Sequence, residues 1–222
     1  MCGRYTLFTP PPELGERFDV PADEFEPRYN CAPGQSLPVV TDGGRVRRME
    51  WGLTPGWADD AIINARAETV REKPSFGDAF ERRRCLVPAD GFYEWTDDGP
   101  YRVAFEDDRP FAMAGIWTRW TPETTQAGLD DFGVGDSSAT DDARESFAVL
   151  TTGPNDVVAQ LHDRMAVVLD RDAELTWLTG SGDDAESLLK PHPSEELHAY
   201  PVSTRVNDPR NDSPELVEAV QR

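Results

Sequence analysis

Lysine is almost missing from this chain. Of its 222 residues only Lys73 and Lys190 are lysines; the other 20 of the 22 basic residues are arginine, set against 42 acidic residues and a net charge of −20. Acid is spread along the whole length, often doubled, as in Asp59-Asp60, Asp97-Asp98 and Asp183-Asp184. This is the surface of a salt-adapted protein. In molar salt the Debye length falls to ~3 Å, so the negative charge does not exclude a nucleic-acid partner; local arginines and stacking rings decide that. Cysteine is scarce too. Cys2, Cys31 and Cys85 show no CxxC spacing, which excludes a zinc ribbon or a disulfide framework. The three histidines, His162, His192 and His198, are not at metal-ligand spacing, and no metal or cofactor is expected. No long apolar run offers a transmembrane helix, and the start lacks a basic-then-apolar leader, so a cytoplasmic protein without a membrane partner is expected.

What the chain does have is many short β runs separated by turn residues. Residues 2–8 have strand-like content, and prolines 10–12 fit the first turn of a short helix ending at Phe18. The stretch 28–34 reads as a compact turn. Runs at 37–41 and 46–51 flank Asp42-Gly43-Gly44, a hairpin signal. Further strands are predicted at 85–87, 91–95, 101–105, 111–117, 147–151, 165–169 and 197–202, with 101–105 and 111–117 expected to pair. Helices are predicted near 76–83, 155–161, 171–178 and 185–189. Residues 121–146 are poor in large apolar groups and read as an acidic flexible insertion, and 206–222 as a turn-rich tail. The pattern predicts one α+β domain over 1–222, built on a curved, mainly antiparallel, barrel-like sheet with short peripheral helices.

Met1-Cys2-Gly3-Arg4-Tyr5 carries the chemistry. If Met1 is removed, Cys2 presents a thiol and an α-amine on neighbouring carbons, titrating near ~8.5 and ~8. Such a pair attacks an aldehyde twice, first as an amine to give an imine, then as a thiol to close a thiazolidine. The thiol can also act alone as an acyl-transfer nucleophile. Gly3, lacking a Cβ, leaves room for a close approach to the cysteine.

Five further segments accompany that start: RYNCAPG at 28–34, WGLTPGW at 51–57, INARAET at 63–69, GFYEW at 91–95 and LHDRM at 161–165. In this order they resemble the SRAP family of abasic-site processing proteins, from Cys2 to about Val206. The resemblance implies binding to single-stranded DNA and fork junctions by a monomer, nucleoid-associated when bound. It implies a reversible covalent crosslink between Cys2 and the ring-opened sugar of an abasic site, with AP-lyase and Met1-removing peptidase activities besides. Catalytic roles are implied for Cys2 as nucleophile, Asn64 as an orienting amide, Glu94 as proton shuttle and His162 as acid at the sugar. DNA contacts are implied for Arg4, Arg66 and Arg164 on phosphates, for Trp57, Trp95 and Pro33 as apolar walls, and for Asn30 and Thr151 lining the pocket. Ala58 stands where the family has a second tryptophan. On the residues alone, strand alternation leaves Glu94 equally placed for solvent or interior.

Two other readings compete. An N-terminal-nucleophile glutamine amidotransferase also starts Met-Cys-Gly, but would call for an Asn-His-Arg-Gly-like segment that is not here. A noncovalent single-strand sensor with an inert pocket needs no chemistry at all.

Overall fold

Gly43 and Gly44 adopt φ of 72° and 67°, left-handed backbone within the three-residue turn Asp42-Gly43-Gly44, and the strands it joins pair in full register from Ser36↔Glu50 to Thr41↔Arg45. A computed structural model of the chain describes residues 2–53, 61–120 and 143–221. The first strands are β1 (Tyr5–Leu7), β2 (Arg28–Cys31), β3 (Ser36–Thr41), β4 (Arg45–Trp51) and β5 (Asn64–Arg66). Then come β6 (Arg84–Ala89), β7 (Gly91–Thr96), β8 (Gly99–Phe105), β9 (Phe111–Trp120) and β10 (Arg144–Thr152). The last are β11 (Met165–Ala166), β12 (Val168–Leu169) and β13 (Leu197–Pro201). Four short helices, α1 (Pro11–Phe18), α2 (Gly77–Arg82), α3 (Arg171–Thr179) and α4 (Gly182–Ser187), lie outside the sheets.

The architecture is α+β. One sheet closes on itself: β10, β4, β3, β6 and β9 pair in sequence, and β9 returns to β10 over Arg144↔Trp120 to Val149↔Gly115. Closure removes the edges that an open sheet would expose. β5 adds in parallel to β10, as does the end of β4, while the other pairings are antiparallel. A second sheet runs β13-β8-β7-β1-β2. Its inner side, with Tyr5, Leu7 and Phe92, joins the main core. Its outer side holds Tyr93 in a smaller cluster with Val202, Val206 and Leu216, so the C-terminal segment packs down onto it.

Four expectations are corrected. β8 and β9 do not pair with each other; β8 lies between β13 and β7, and the chain crosses to the other sheet at 106–110. The stretch 28–34 begins as β2, because β1 offers it an edge: Tyr5 pairs with Cys31. β10 starts at Arg144, three residues into the expected insertion, where β9 supplies a partner as far as Trp120. The helix expected near 155–161 narrows to a single turn, Val158–Gln160, opened by the Val158 N–H donating to Asn155 Oδ1 at 3.0 Å.

Gly91 shows how closely the Arg102 side chain lies over its own sheet. A Cβ there would come 2.6 Å from Arg102 Nε. The Arg102 guanidinium lies across that position, braced by Asp108 Oδ1 and the Tyr200 hydroxyl, with Nη2 donating to Asp90 O. Among the described residues no helix is long and apolar enough to cross a membrane.

Candidate active site

β1 is the middle of a three-strand arrangement, and it brings the N-terminal cysteine inside. Tyr5 pairs with Phe92 on β7, and the Tyr93 N–H donates to Arg4 O at 3.0 Å. Carried on by two residues, that register sets Gly3 level with Glu94. Alternation along β7 then divides its side chains. Phe92 belongs to the main core, and Tyr93 faces the C-terminal segment. Glu94 is 1% exposed, so the open choice between solvent and interior resolves to the interior.

Cys2 is fully buried, its thiol donating weakly to Arg4 O at 3.8 Å. Burial pushes that thiol well above its ordinary pKa, and the nearby Glu94 carboxylate adds to the rise. Asn64, first residue of β5, donates from Nδ2 to the Cys2 carbonyl at 2.9 Å. β5 holds that amide in place because its backbone pairs with β10, Asn64 opposite Val149. Desolvation raises the Glu94 carboxyl to about 7, with the positive amino terminus pulling the other way and Asp163 adding to the rise. Those shared fields place Cys2, Glu94 and the 162–163 segment in one neighbourhood.

His162 follows a short helical turn at 158–160, its N–H donating to Val158 O at 2.8 Å. The Arg164 N–H donates to His162 Nδ1 at 3.0 Å, so in the neutral ring Nε2 carries the proton. The same Nδ1 lies 2.8 Å from Asp163 Oδ1, a contact that becomes an ion pair only when the ring is protonated. Burial, then the amino terminus, lowers the His162 pKa, while Asp163 raises it. The neutral form with the backbone hydrogen bond therefore dominates near neutrality.

Arg164 reaches back to Thr151 O at 2.6 Å and forks onto Glu68 at 2.7 and 2.9 Å. Thr151 is buried on β10, opposite Arg66 of β5 on one side and Ala166 of β11 on the other. Arg66 is exposed. Arg4 is half-buried, and burial lowers its pKa; its Nη1 donates to Gly3 O at 3.0 Å, and no carboxylate lies within 4.0 Å among the described residues. The structure thus brings Cys2, Asn64, Glu94 and His162 together, with Thr151, Arg66 and Arg164 along one flank and Arg4 beside the cysteine.

Two sequence candidates, Asn30 and Trp95, turn to the C-terminal segment instead. Asn30 is buried, and its Nδ2 donates to the carbonyls of Val206, Asp208 and Asn211 at 3.2, 3.1 and 2.9 Å, which ties down the C-terminal segment. Trp95 faces that same segment, donating from Nε1 to Asn207 Oδ1 at 2.7 Å, on the opposite side of β7 from Glu94. Pro33 is half-exposed in the turn after β2, whose Gly34 N–H bonds to Trp51 O at 2.9 Å. Trp57, Ala58, Met1 and most of the expected insertion lie outside the described residues. Two residues that sequence reasoning passed over, Glu68 and Asp163, stand within the INARAET and LHDRM segments and engage Arg164 and His162. Two cavities of about 440 Å³ each, one beside His192 and one beside Arg45, take in none of the clustered residues.

The described residues contain no group of His, Cys, Asp and Glu able to hold a metal ion. What the cluster can do is proton transfer around one nucleophile in a desolvated setting. The chain is 38% identical over 240 residues to the abasic site processing protein YoqW of Bacillus subtilis, covering 99% of this chain and all of that one. It is 31% identical to the abasic site processing protein HMCES of Xenopus tropicalis, over 91% of this chain and 69% of the relative. It is 29% identical to the abasic site processing protein YedK of Escherichia coli, over 91% and 89%. A crystal structure of a protein from Bacteroides thetaiotaomicron superposes with a TM-score of 0.81 at 25% identity, covering 99% of this chain and all of that one. The family model described as SOS response associated peptidase (SRAP) matches residues 1–209, and the chain belongs to the SRAP family.

Proposed function

We propose that this protein processes abasic sites in single-stranded DNA, and that it does so by a reversible thiazolidine crosslink through Cys2. The observation that carries the reading is the convergence of Asn64 and Glu94 on the N-terminal cysteine, an arrangement with no use in a structural core. In the chain that starts at Met1 the Cys2 nitrogen is an amide, so the reaction needs Met1 removed first.

The order of steps follows from the two nucleophiles. Burial keeps the Cys2 thiol protonated, so the freed α-amine attacks first. Its nitrogen bonds to the aldehyde carbon to give a carbinolamine. Glu94, poised at about 7, donates a proton to the departing hydroxyl, and water leaves as the imine forms. The resulting carboxylate takes the thiol proton as sulfur bonds to the imine carbon, and the nitrogen ends as the ring amine. One C=O is exchanged for a C–N and a C–S bond, with one water released. Asn64 holds the Cys2 carbonyl and so fixes the rotation of the nucleophile. The protonated fraction of His162 hands a proton to the sugar ring oxygen as the hemiacetal opens, and delivers one again when the crosslink reverses. Arg4, Arg66 and Arg164 hold backbone phosphates on either side.

Incubating the protein in molar KCl with an oligonucleotide carrying one abasic site tests this. A heat-stable slow band on a denaturing gel, absent with Cys2→Ala, is expected, and intact mass should show one methionine lost. A wild-type protein of the shortened mass that gives no such band would defeat the crosslink reading.

A further inference from the structure

Arg164 is treated unlike the other two arginines of the site. Arg4 and Arg66 have no carboxylate within ion-pair distance among the described residues, even though acids outnumber bases almost two to one. Arg164 is paired. Glu68 meets it with both oxygens, Nη1 to Oε1 at 2.7 Å and Nη2 to Oε2 at 2.9 Å, the parallel fork that a phosphate would also accept. The two partners are not equally buried. The Arg164 side chain is 16% exposed and Glu68 is 52% exposed. Arg164 is also anchored from behind, by Thr151 O at 2.6 Å, and its Nε–H is buried with no acceptor. The guanidinium is thus fixed and incompletely satisfied, and its carboxylate partner stands on the solvent side, free to swing away.

We propose that Glu68 occupies, in the free protein, the place of a DNA backbone phosphate on Arg164, and that a strand enters the site by exchanging its phosphate for that carboxylate. The inference rests on the reading of the site as a DNA site and adds a residue that decides what can enter it. Only a ligand offering two anionic oxygens in the plane of the guanidinium recovers what is lost when Glu68 leaves. In a protein this acidic, an unpaired arginine fork would also collect stray carboxylates from neighbouring molecules; Glu68 keeps it occupied. Because the pair is half in solvent it is weak, and a phosphate can displace it.

The test is a double-mutant cycle on DNA affinity, measured by fluorescence anisotropy with an undamaged single-stranded oligonucleotide at fixed salt, so that no covalent step contributes. Glu68→Gln should bind roughly two- to five-fold tighter than wild type, the size of one exposed ion pair that no longer has to be broken. Arg164→Met should bind more weakly, and Glu68→Gln should give no gain when added to it. Glu68→Ala guards against an effect peculiar to glutamine and should follow the same pattern. Weaker or unchanged binding by both Glu68 variants would overturn the proposal while leaving Arg164 as a phosphate ligand. A gain that persists with Arg164→Met would overturn it as a general charge effect. Undiminished binding by Arg164→Met would remove Arg164, and the proposal with it, from the DNA site.

Discussion

Arg102 and Arg164 are both pressed into the protein with acids beside them, and they do opposite work. The Arg102 side chain is 1% exposed, and each of its nitrogens has a partner: Nε on Thr6 Oγ1 at 3.4 Å, Nη1 on Asp108 and Tyr200, Nη2 on Asp90 O. The rings of Phe8 and Tyr200 lie against it at 5.2 and 5.9 Å. Nothing is left for a ligand. Arg164 has a buried Nε with no acceptor and a carboxylate partner that faces water. A saturated arginine ties strands β1, β8 and β13 to the turns at Asp90 and Asp108; an unsaturated one waits. The acids are alike in being pushed up by burial: Asp90, whose Oδ2 accepts from Phe8 N, Thr9 N and Thr9 Oγ1 at 2.5, 2.8 and 3.0 Å, lies above its ordinary pKa, and Glu94, just as buried four residues later, is raised to about 7.

Removing each arginine should break the comparison most sharply. Arg102→Met strands the Asp90 carboxylate in the interior and should cost about 3–5 kcal/mol in chemical denaturation. Arg164→Met should cost about 1 kcal/mol or less, because Thr151 O keeps the Ala67 N–H at 2.8 Å and Glu68 turns to water. Equal losses would mean that Arg164 is structural as well, and would weaken its assignment to a ligand.

Glu94→Gln comes next in size and tests whether the active-site acid is held at a cost. A carboxyl with a folded pKa of about 7 binds a proton that the unfolded chain, with a pKa near ~4.3, has already lost. Stability is therefore given up as pH rises from the unfolded value to the folded one, and the full cost is present above it. Gln removes the titration. The variant should gain over wild type by on the order of 3 kcal/mol between pH 4.5 and pH 8, at 1.36 kcal/mol per unit, while forming the crosslink more slowly. A pH-independent difference between the two melting curves would show that Glu94 is not strained by burial.

Much of this was legible in the chain, and the illegible part has one physical cause. Motif residues give chemistry but not the face they occupy. Cys2, Asn64 and Glu94 meet because β1 enters between β2 and β7 and because β5 adds to β10, and neither long-range pairing has a local signal. RYNCAPG placed Asn30 in a pocket; the strand it forms turns that amide to the C-terminal segment, whose carbonyls no sequence pattern connects to it. The resemblance made Trp95 an apolar wall for DNA, yet alternation sends it to the side of β7 opposite Glu94. The hairpin at Gly43-Gly44 needed only local backbone chemistry and was readable to within one residue at its strand ends. Glu68 and Asp163 carried a faint signal. Each is an acid one or two positions from a residue already assigned to the site, in motifs whose basic groups drew the attention.

Asp163 provides the smallest effect and the finest test. It faces His162 Nδ1 at 2.8 Å and raises the His162 pKa against burial and the amino terminus, which lower it. It also raises the pKa of Glu94. Asp163→Asn therefore lets both groups lose their protons at lower pH. If protonated His162 delivers the proton on reversal of the crosslink, the reversal rate falls as pH rises through its pKa, and in the variant that fall should begin at lower pH. Glu94 would move in the same direction, so the measurement belongs in a Glu94→Gln background, where only His162 can shift. There, with the unsubstituted Asp163 protein as reference, a displaced limb assigns the proton to the histidine. A limb that stays where it was would mean that the ring acts only as an acceptor for the Arg164 N–H, and would put His162 with Arg102 among the groups that hold the fold together.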